Sequence, residues 1–162
     1  MQISKLARRT GFGVAALCLG LALDLGGCGS SGGGGGAISS DPLSGKIGGQ
    51  PWTLVTAQTD SFLSSATQYA VDAYSESFTP CSGTASGTTD SLILNFPMAV
   101  GTYAVTLDLN QTFSVPPIDN FIATSGTIVI SEVTATTISG GANFAYNADN
   151  SVNGQFQATI CP

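Results

Sequence analysis

The side chains that could carry out nucleophilic catalysis are few, because the chain has no histidine. This excludes Ser-His-Asp and Cys-His catalysis and every metal site that needs an imidazole ligand. Ser44 and Lys46 stand two residues apart on a predicted strand and share a face, the minimum geometry for a Ser-Lys pair. Lys46 is the only base after Cys28, and we expect it to be solvated. The G-x-S-x-G match at 29–33 lies in a Gly/Ser run rather than at a strand-to-helix turn, so it predicts no nucleophile.

Carboxylates are the remaining candidates for catalysis, since two acids about 5–9 Å apart, one with a raised pKa, can hydrolyse a glycosidic bond. Those of the mature protein are spread singly, mostly near predicted strand ends and turns, where solvation and turn formation explain them. We therefore predict no catalytic residue. The candidates are Asp60, Asp72, Glu76, Asp90, Asp108, Asp119, Glu132 and Asp149.

Two patterns could bind a ligand without catalysis. Residues 147–151 (NADNS) carry the oxygen atoms that calcium prefers, but a tight turn made by Asn and Asp side chains explains them equally well. We predict no metal ligand and no cofactor. Aromatic rings could stack on sugars or line an apolar pocket, although rings on strands more often lie in the core. Among the candidates Trp52, Tyr69, Tyr74, Tyr103 and Tyr146, Tyr74 is expected to be the exposed one, because it opposes the face of Tyr69.

The motif Leu25-Gly26-Gly27-Cys28 matches the cleavage site of a bacterial lipoprotein signal peptide. It predicts a signal peptide at 1–27 and Cys28 as the lipidated first residue of the mature protein. The segment 1–9 is basic, and the apolar stretch 11–23 is shorter than the about 20 residues that span a bilayer. Asp24 places a charge at the end of the apolar stretch, which is unusual for such a signal peptide. The paired arginines Arg8 and Arg9 leave twin-arginine export as an alternative route.

Residues 28–43 are predicted to be the lipidated cysteine and a Gly/Ser-rich tether. The run at 29–36 favours no packed structure, and about eight such residues have a root-mean-square span near 15 Å. Gly29, rather than Asp, follows the lipidated cysteine, which favours the outer membrane by the sorting habit of similar lipoproteins. The protein would then face the periplasm or the cell surface.

Cys81 and Cys161 are an even pair in an exported protein and are predicted to form a disulfide. The closed loop of about 80 residues corresponds to about 4–4.5 kcal/mol of stabilisation in the chain-entropy picture. Lys46 against nine acidic residues gives the mature protein a formal charge of −8. Such a surface repels phosphate backbones, so nucleic-acid binding is excluded as a function.

From Ser44 onward apolar residues recur with a period of two, which indicates strands rather than helices. The alternation is clearest from Val152 to Ile160, where a slip of one residue would place the apolar side chains in water. We predict one all-β domain at 44–162, an antiparallel sandwich or partly open barrel of about eight strands. The predicted strands are 44–47, 52–58, 66–74, 91–96, 101–109, 126–133, 136–146 and 152–160, and Pro116-Pro117 interrupts a further edge segment.

Short motifs at turns and core positions carry a resemblance that covers about Ser44 to Cys161. They are GGQPW at 48–52, GTY at 101–103, GTI at 126–128, ISG at 138–140 and VNGQF at 152–156. The protein resembles the uncharacterised β-sheet domains of Gram-negative bacterial lipoproteins, a domain-of-unknown-function family. That resemblance implies a fold and a location in the cell envelope but no activity. Many members of the family pair a terminal cysteine with a mid-chain one, which implies the same pairing for Cys161 and Cys81.

These observations predict a lipid-anchored domain of the cell envelope that is not an enzyme and that has a binding or structural role at the outer membrane. Its expected partners are the membrane, through the lipid on Cys28, and an unidentified glycan, small apolar ligand or envelope protein. A lipoprotein that binds a small ligand or glycan is the alternative, and a carboxylate-based hydrolase is a third possibility.

Overall fold

The structure, a computed structural model, describes residues 36–83 and 85–162. The predicted signal peptide, Cys28 and most of the predicted tether lie outside the described residues. The described part contains eleven strands and no helix. The strands are β1 (Ser44–Ile47), β2 (Gln50–Thr53), β3 (Thr56–Thr59), β4 (Gln68–Tyr74), β5 (Ser91–Pro97), β6 (Gly101–Ala104), β7 (Gln111–Val115), β8 (Asp119–Ala123), β9 (Gly126–Val133), β10 (Thr137–Asn147) and β11 (Asn150–Thr159).

All strands belong to one sheet that curls into a partly open barrel, which confirms the predicted fold class. Nine strands follow one path, in the order β6-β9-β10-β11-β3-β4-β5-β7-β8. The hairpin of β1 and β2 extends from β11, where β1 pairs antiparallel with its first half. The second half of β11 pairs with β3 through Thr159 and Gln58, and this single parallel ladder departs from the antiparallel expectation.

The β10–β11 hairpin forms the longest ladder and follows the predicted alternation. Val152, Phe156 and Ala158 are buried, while Gln155 and Gln157 between them are exposed. The register runs from Thr137 opposite Thr159 to the turn at 148–149. The inward face is therefore determined by the sequence pattern, as expected for a strand with one buried side.

The predicted strand at 52–58 is two strands, because the backbone changes partners at its middle. The Leu54 N–H donates to the Leu43 carbonyl at 2.9 Å, and the Val55 N–H donates to the Tyr74 carbonyl at 2.8 Å. Residues before this point pair with β1, and residues after it pair with β4. An apolar run cannot reveal such an exchange, since both halves keep extended backbone.

The prediction of a strand over 101–109 is wrong beyond Ala104. Thr106 and Leu109 close a turn, in which the Leu109 N–H donates to the Thr106 hydroxyl at 3.2 Å. Leu107 is 76% exposed rather than inward. The alternation there is coincidental, because the backbone leaves the sheet to cross towards β7. The segment interrupted by Pro116-Pro117 is the β7–β8 hairpin, with the two prolines in its turn.

The barrel interior is filled by large apolar side chains from both halves of the sheet. Phe96 and Phe156 have ring centroids 5.9 Å apart, and Phe113 and Phe144 have centroids 5.3 Å apart. These pairs join β5 to β11 and β7 to β10 across the interior. Other fully buried core residues are Leu43, Ile47, Leu92, Leu94, Ile128, Ile130 and Ile138.

Three hairpin turns meet at one end of the barrel, here called the turn end: 48–49, 116–118 and 148–149. The Gly49 N–H donates to the Asp149 carbonyl at 2.9 Å, and a Cβ at Gly48 would lie 3.2 Å from Val115. Both glycines have positive φ, 58° and 78°, which a two-residue hairpin turn of this kind requires. At the opposite end, here called the loop end, lie the β3–β4 loop, the β5–β6 loop and the carboxyl terminus.

Residues 36–43, which the sequence assigned to the tether, lie against the outer face of β10 and β11. The Asn143 side chain donates to the Gly36 carbonyl at 2.8 Å, and the Ser39 N–H donates to the Asn153 side chain at 2.8 Å. Gln155 donates through its side chain to the Ser39 carbonyl at 2.7 Å. The docked segment therefore begins beside the middle of β10 and leads into the buried Leu43.

Candidate functional site

The disulfide between Cys81 and Cys161 is present, with an S–S distance of 2.06 Å, and confirms the predicted pairing. It holds the β4–β5 loop against the outer face of β3 and β4. The Cys81 N–H donates to the Gln58 side chain at 2.7 Å, and the Cys161 N–H donates to the Thr59 hydroxyl at 2.8 Å. The loop therefore covers a polar outer face that an ordinary hairpin would leave to solvent.

A polar cavity of about 330 Å³ lies beside this disulfide. It brings together Asp60 and Asp72, two of the carboxylates that the sequence analysis considered. Both belong to the part of the sheet where β3 pairs with β4, Asp72 opposite Gln58 in the ladder and Asp60 directly after Thr59. The lining residues are Gln58, Thr59, Asp60, Ser61, Asp72, Cys81, Gly83, Cys161 and Pro162.

Burial raises the pKa of Asp72 to about 6, and the negative charge of Asp60 adds to the shift. The neighbouring Tyr74 hydroxyl, as a hydrogen-bond donor, acts in the opposite direction. The pKa of Tyr74 is itself raised to about 12, first by burial and then by the charge of Asp72. Asp72 therefore titrates nearer to neutral pH than an ordinary carboxyl.

A carboxyl with a raised pKa next to a second acid is the arrangement that a glycosidase needs, but one of these two acids already has a structural contact. One oxygen of Asp60 accepts the N–H groups of Phe62 and Leu63 at 2.7 and 3.1 Å and so fixes the turn after β3. Asp72 lies beneath the β4–β5 loop, which the disulfide of Cys81 holds in place. Asp60 is therefore committed to the turn after β3, and Asp72 is the partly buried acid of the two.

The remaining predicted acids lie apart from this pair. Glu76 accepts the Ser86 N–H at 2.6 Å and the Thr89 hydroxyl at 2.9 Å, and these bonds lower its pKa. Burial raises the pKa of Asp90. Lys46 is exposed, as expected, and Ser44 beside it is half-buried in β1. The other four acids are exposed: Asp108, Asp119, Glu132 and Asp149.

The oxygen-rich stretch 147–151 builds the β10–β11 turn. The Asn147 side-chain oxygen accepts the Asp149 N–H at 3.0 Å and the Asn150 side-chain NH₂ at 3.1 Å. Asn150 is buried, and its own oxygen accepts the Gly48 N–H at 2.9 Å. These oxygens hold two hairpin turns together. Within residues 36–83 and 85–162, no group of three or more Cys, Asp or Glu side chains converges to hold a metal ion.

The prediction that Tyr74 is the exposed ring is wrong. Tyr74 is half-buried because it packs edge-on against Phe78 in the covering loop, with centroids 5.4 Å apart. Tyr146, which the sequence placed with the core, is 53% exposed at the turn end. Trp52 is buried and donates to the Asp90 carbonyl at 3.0 Å, while Tyr69 and Tyr103 are half-buried.

Sequence reasoning missed a group of exposed apolar side chains at the loop end, here called the apolar end patch. It consists of Phe62, Leu63, Met98 and Val100, which are 91, 47, 37 and 61% exposed. The two loops that carry them adjoin, because the Met98 N–H donates to the Thr67 carbonyl at 3.1 Å. The sequence signal that could have revealed this patch was the apolar pair Phe62-Leu63 in a Ser-rich loop, where no strand periodicity accounts for apolar side chains.

Comparison with known proteins gives no relative: no family model, curated protein or solved structure matches the sequence. The resemblance to the lipoprotein β-sheet domains therefore stays a prediction. Among the described residues, no helix has the length and apolarity to cross a bilayer. The predicted lipidation site, Cys28, lies outside the described residues.

Proposed function

We propose that this protein is a lipid-anchored, non-catalytic domain of the bacterial cell envelope that binds an apolar segment of a partner protein at the outer membrane. The observation that carries the proposal is the apolar end patch. Exposed apolar side chains carried on adjoining loops are typical of a surface that binds a partner. Phe62, at 91% exposure, gains nothing from the fold of its own domain.

The chemistry of the patch favours a protein partner over a sugar. Its members are one phenyl ring and three flexible or aliphatic side chains, and Met98 adapts its shape to an irregular apolar surface. Stacking on sugars uses several exposed rings on one face. The exposed rings of the described residues, Phe62 and Tyr146, lie at opposite ends of the barrel. The filled interior likewise favours a surface contact over an enclosed apolar ligand.

The anchor is supported by the lipobox ending at Cys28 and by the docked segment 36–43. Hydrogen bonds to Asn143, Asn153 and Gln155 fix the place where the segment from Cys28 joins the domain. A lipid on Cys28 would then hold the domain through this one region of its outer face.

Metabolic labelling with a fatty-acid precursor tests the anchor. We expect label on the wild-type protein and none on a Cys28→Ala variant. Equal labelling of both proteins, or of neither, would overturn the lipid anchor.

Photo-cross-linking in the intact envelope tests the binding surface. A photoreactive residue at Phe62 or Val100 is expected to give one discrete protein adduct. The same residue at Leu107, which is 76% exposed but belongs to the turn after β6, serves as the matched control and should give none. Identical adducts from all three positions would show that the patch has no special contact.

A further inference from the structure

We infer that the turn end faces the bilayer that holds the lipid, so that Ile118 and Tyr146 contact its zwitterionic head-group region while the apolar end patch points away. This inference rests on the proposed lipid anchor at Cys28. It goes further by fixing the orientation of the domain and by assigning a membrane-contact role to two exposed side chains.

The attachment point of the anchor lies nearer to the turn end. At about 3.3 Å per residue, Asn143 is about 13 Å along β10 from its last residue, Asn147, and about 20 Å from its first, Thr137. The Gly36 carbonyl accepts a hydrogen bond from the Asn143 side chain, and the backbone from Asp41 back to Gly36 runs towards the turn end. The described segment therefore begins, at Gly36, nearer to the turn end than to the loop end.

The length of the segment before Gly36 agrees with this orientation. Residues 28–35 are a cysteine followed by Gly and Ser, whose expected root-mean-square span is about 15 Å. This span reaches the turn end without stretching. Thr137, at the loop-end side of β10, is about 20 Å from Asn143, which exceeds this expected span.

The turn end also has the side chains suited to a bilayer surface. Ile118 is 85% exposed at the tip of the β7–β8 hairpin, and Tyr146 is 53% exposed just before the β10–β11 turn. Tyr146 packs on Phe121 of β8 with centroids 5.4 Å apart, so its ring is held in place rather than free. A tyrosine with an apolar body and a polar tip is favoured where hydrocarbon meets head groups.

The charge of this end determines which lipid surface fits. Asp119 and Asp149 are exposed here, against Lys46 on β1. An anionic surface would repel this end, whereas a zwitterionic surface of phosphatidylethanolamine or phosphatidylcholine would not. We therefore expect the contact between the turn end and the bilayer to depend on apolar side chains and to be weak by itself. The lipid on Cys28 would keep the protein at the membrane.

The test uses the full mature protein, purified with its lipid and reconstituted into phosphatidylcholine vesicles with or without brominated acyl chains. Ile118→Trp and the matched Phe62→Trp each add an indole at an exposed site, and the native Trp52 is buried and serves as a constant background. We expect brominated lipid to remove most of the added emission from Ile118→Trp and to leave that from Phe62→Trp unchanged.

Quenching of Phe62→Trp alone, of both variants equally, or of neither in protein that floats with the vesicles would overturn the orientation and leave the anchor intact. A wild-type protein that carries no acyl mass on Cys28 and does not float would instead overturn the proposed anchor, and the orientation with it. Flotation and the acyl mass thus separate the two failures.

Discussion

At the scale of single residues, Gln111 shows how a buried polar side chain can replace strand pairing. It is fully buried, and its oxygen accepts the Asn95 N–H at 2.8 Å. Its NH₂ group donates to the carbonyls of Asn95 and Leu109 at 2.9 and 3.0 Å. The β5–β7 ladder ends at Ile93, so the amide supplies the bonds that a longer ladder would have made.

Replacing Gln111 with Leu is expected to lower the free energy of unfolding by about 1–3 kcal/mol, because it leaves buried backbone groups without partners. Urea unfolding followed by tryptophan fluorescence measures the loss. Gln157→Leu is the matched control, since Gln157 is exposed, and it should change stability far less. Equal losses in both variants would contradict this role.

Asp72 makes stability depend on pH. Its pKa rises from 3.8 to about 6 on folding, so between these values the folded protein binds more protons than the unfolded state. Stability is therefore highest below the unfolded pKa, decreases as pH rises through about 6, and is flat above that. The charged carboxylate is the destabilising form, because it is partly buried beside Asp60.

Asp72→Asn is expected to remove this decrease and to raise the free energy of unfolding at pH 8 by on the order of 1 kcal/mol, a figure reduced for the remaining solvent exposure. Thermal unfolding between pH 4 and 8 gives the profile. The exposed Asp108→Asn variant should keep the wild-type profile. An unchanged profile in Asp72→Asn would show that another group titrates.

At the scale of elements, the β4–β5 loop is ordered by a distant covalent bond. The Cys81–Cys161 disulfide closes a separation of 80 residues and places the loop over Asp72. Cys81 is exposed, so reductant can reach the bond. The bond has two effects. It restricts the unfolded state, and it holds the loop so that the outer face of β3 and β4 is partly covered.

The Cys81→Ser/Cys161→Ser double variant is expected to lose about 2–4 kcal/mol of stability. It should also move the pKa of Asp72 back towards its ordinary value, because the covering loop is released. Carboxyl NMR titration of the variant and of the wild-type protein measures the second effect. A destabilised variant in which the pKa of Asp72 stays raised would show that the disulfide does not hold the β4–β5 loop over Asp72.

The docked segment 36–43 is a second element whose position depends on side chains. Asn153 accepts the Ser39 N–H and donates to the Ala37 carbonyl at 3.2 Å. Asn153→Ala is expected to speed amide exchange of Ser39 while costing about 1 kcal/mol of global stability. Asn120→Ala, at an exposed site on β8, is the control. Unchanged exchange at Ser39 would mean that other bonds hold the segment.

At the scale of the whole molecule, the barrel separates two exposed apolar regions by its full length. The apolar end patch lies with the loops after β3 and β5, and Ile118 and Tyr146 lie with the hairpin turns. A lipid-anchored domain with this arrangement can contact the bilayer at one end and present a binding surface at the other.

Replacing Phe62 and Val100 with serine is expected to lower the binding of a hydrophobic dye while leaving the unfolding midpoint unchanged, because both side chains are mostly exposed. Dye fluorescence and thermal unfolding of the same samples measure the two effects. Leu107→Ser removes one comparably exposed side chain outside the patch and should reduce dye binding little. A lowered midpoint would show that the patch contributes to the fold.

Much of the sheet was predictable, whereas the candidate sites were not. The segments at 126–133, 136–146 and 152–160 were located within about two residues of their observed ends. The exchange of partners at Leu54 and Val55, and the exposure of Leu107, were missed because extended backbone and apolar type are compatible with either outcome.

The sequence by itself determined the all-β class, the face that β11 buries and the pairing of Cys81 with Cys161. These follow from local periodicity and from the count of cysteines left after the predicted signal peptide and lipidation site. Only the tertiary structure decided that Asp60 and Asp72 share a cavity, that Tyr74 is covered and that Tyr146 is exposed. The cover over Tyr74 depends on how the β4–β5 loop packs, and Tyr146 lies at a break in the β10–β11 register between Ala145 and Asn147. Neither feature leaves a periodic signal in the sequence.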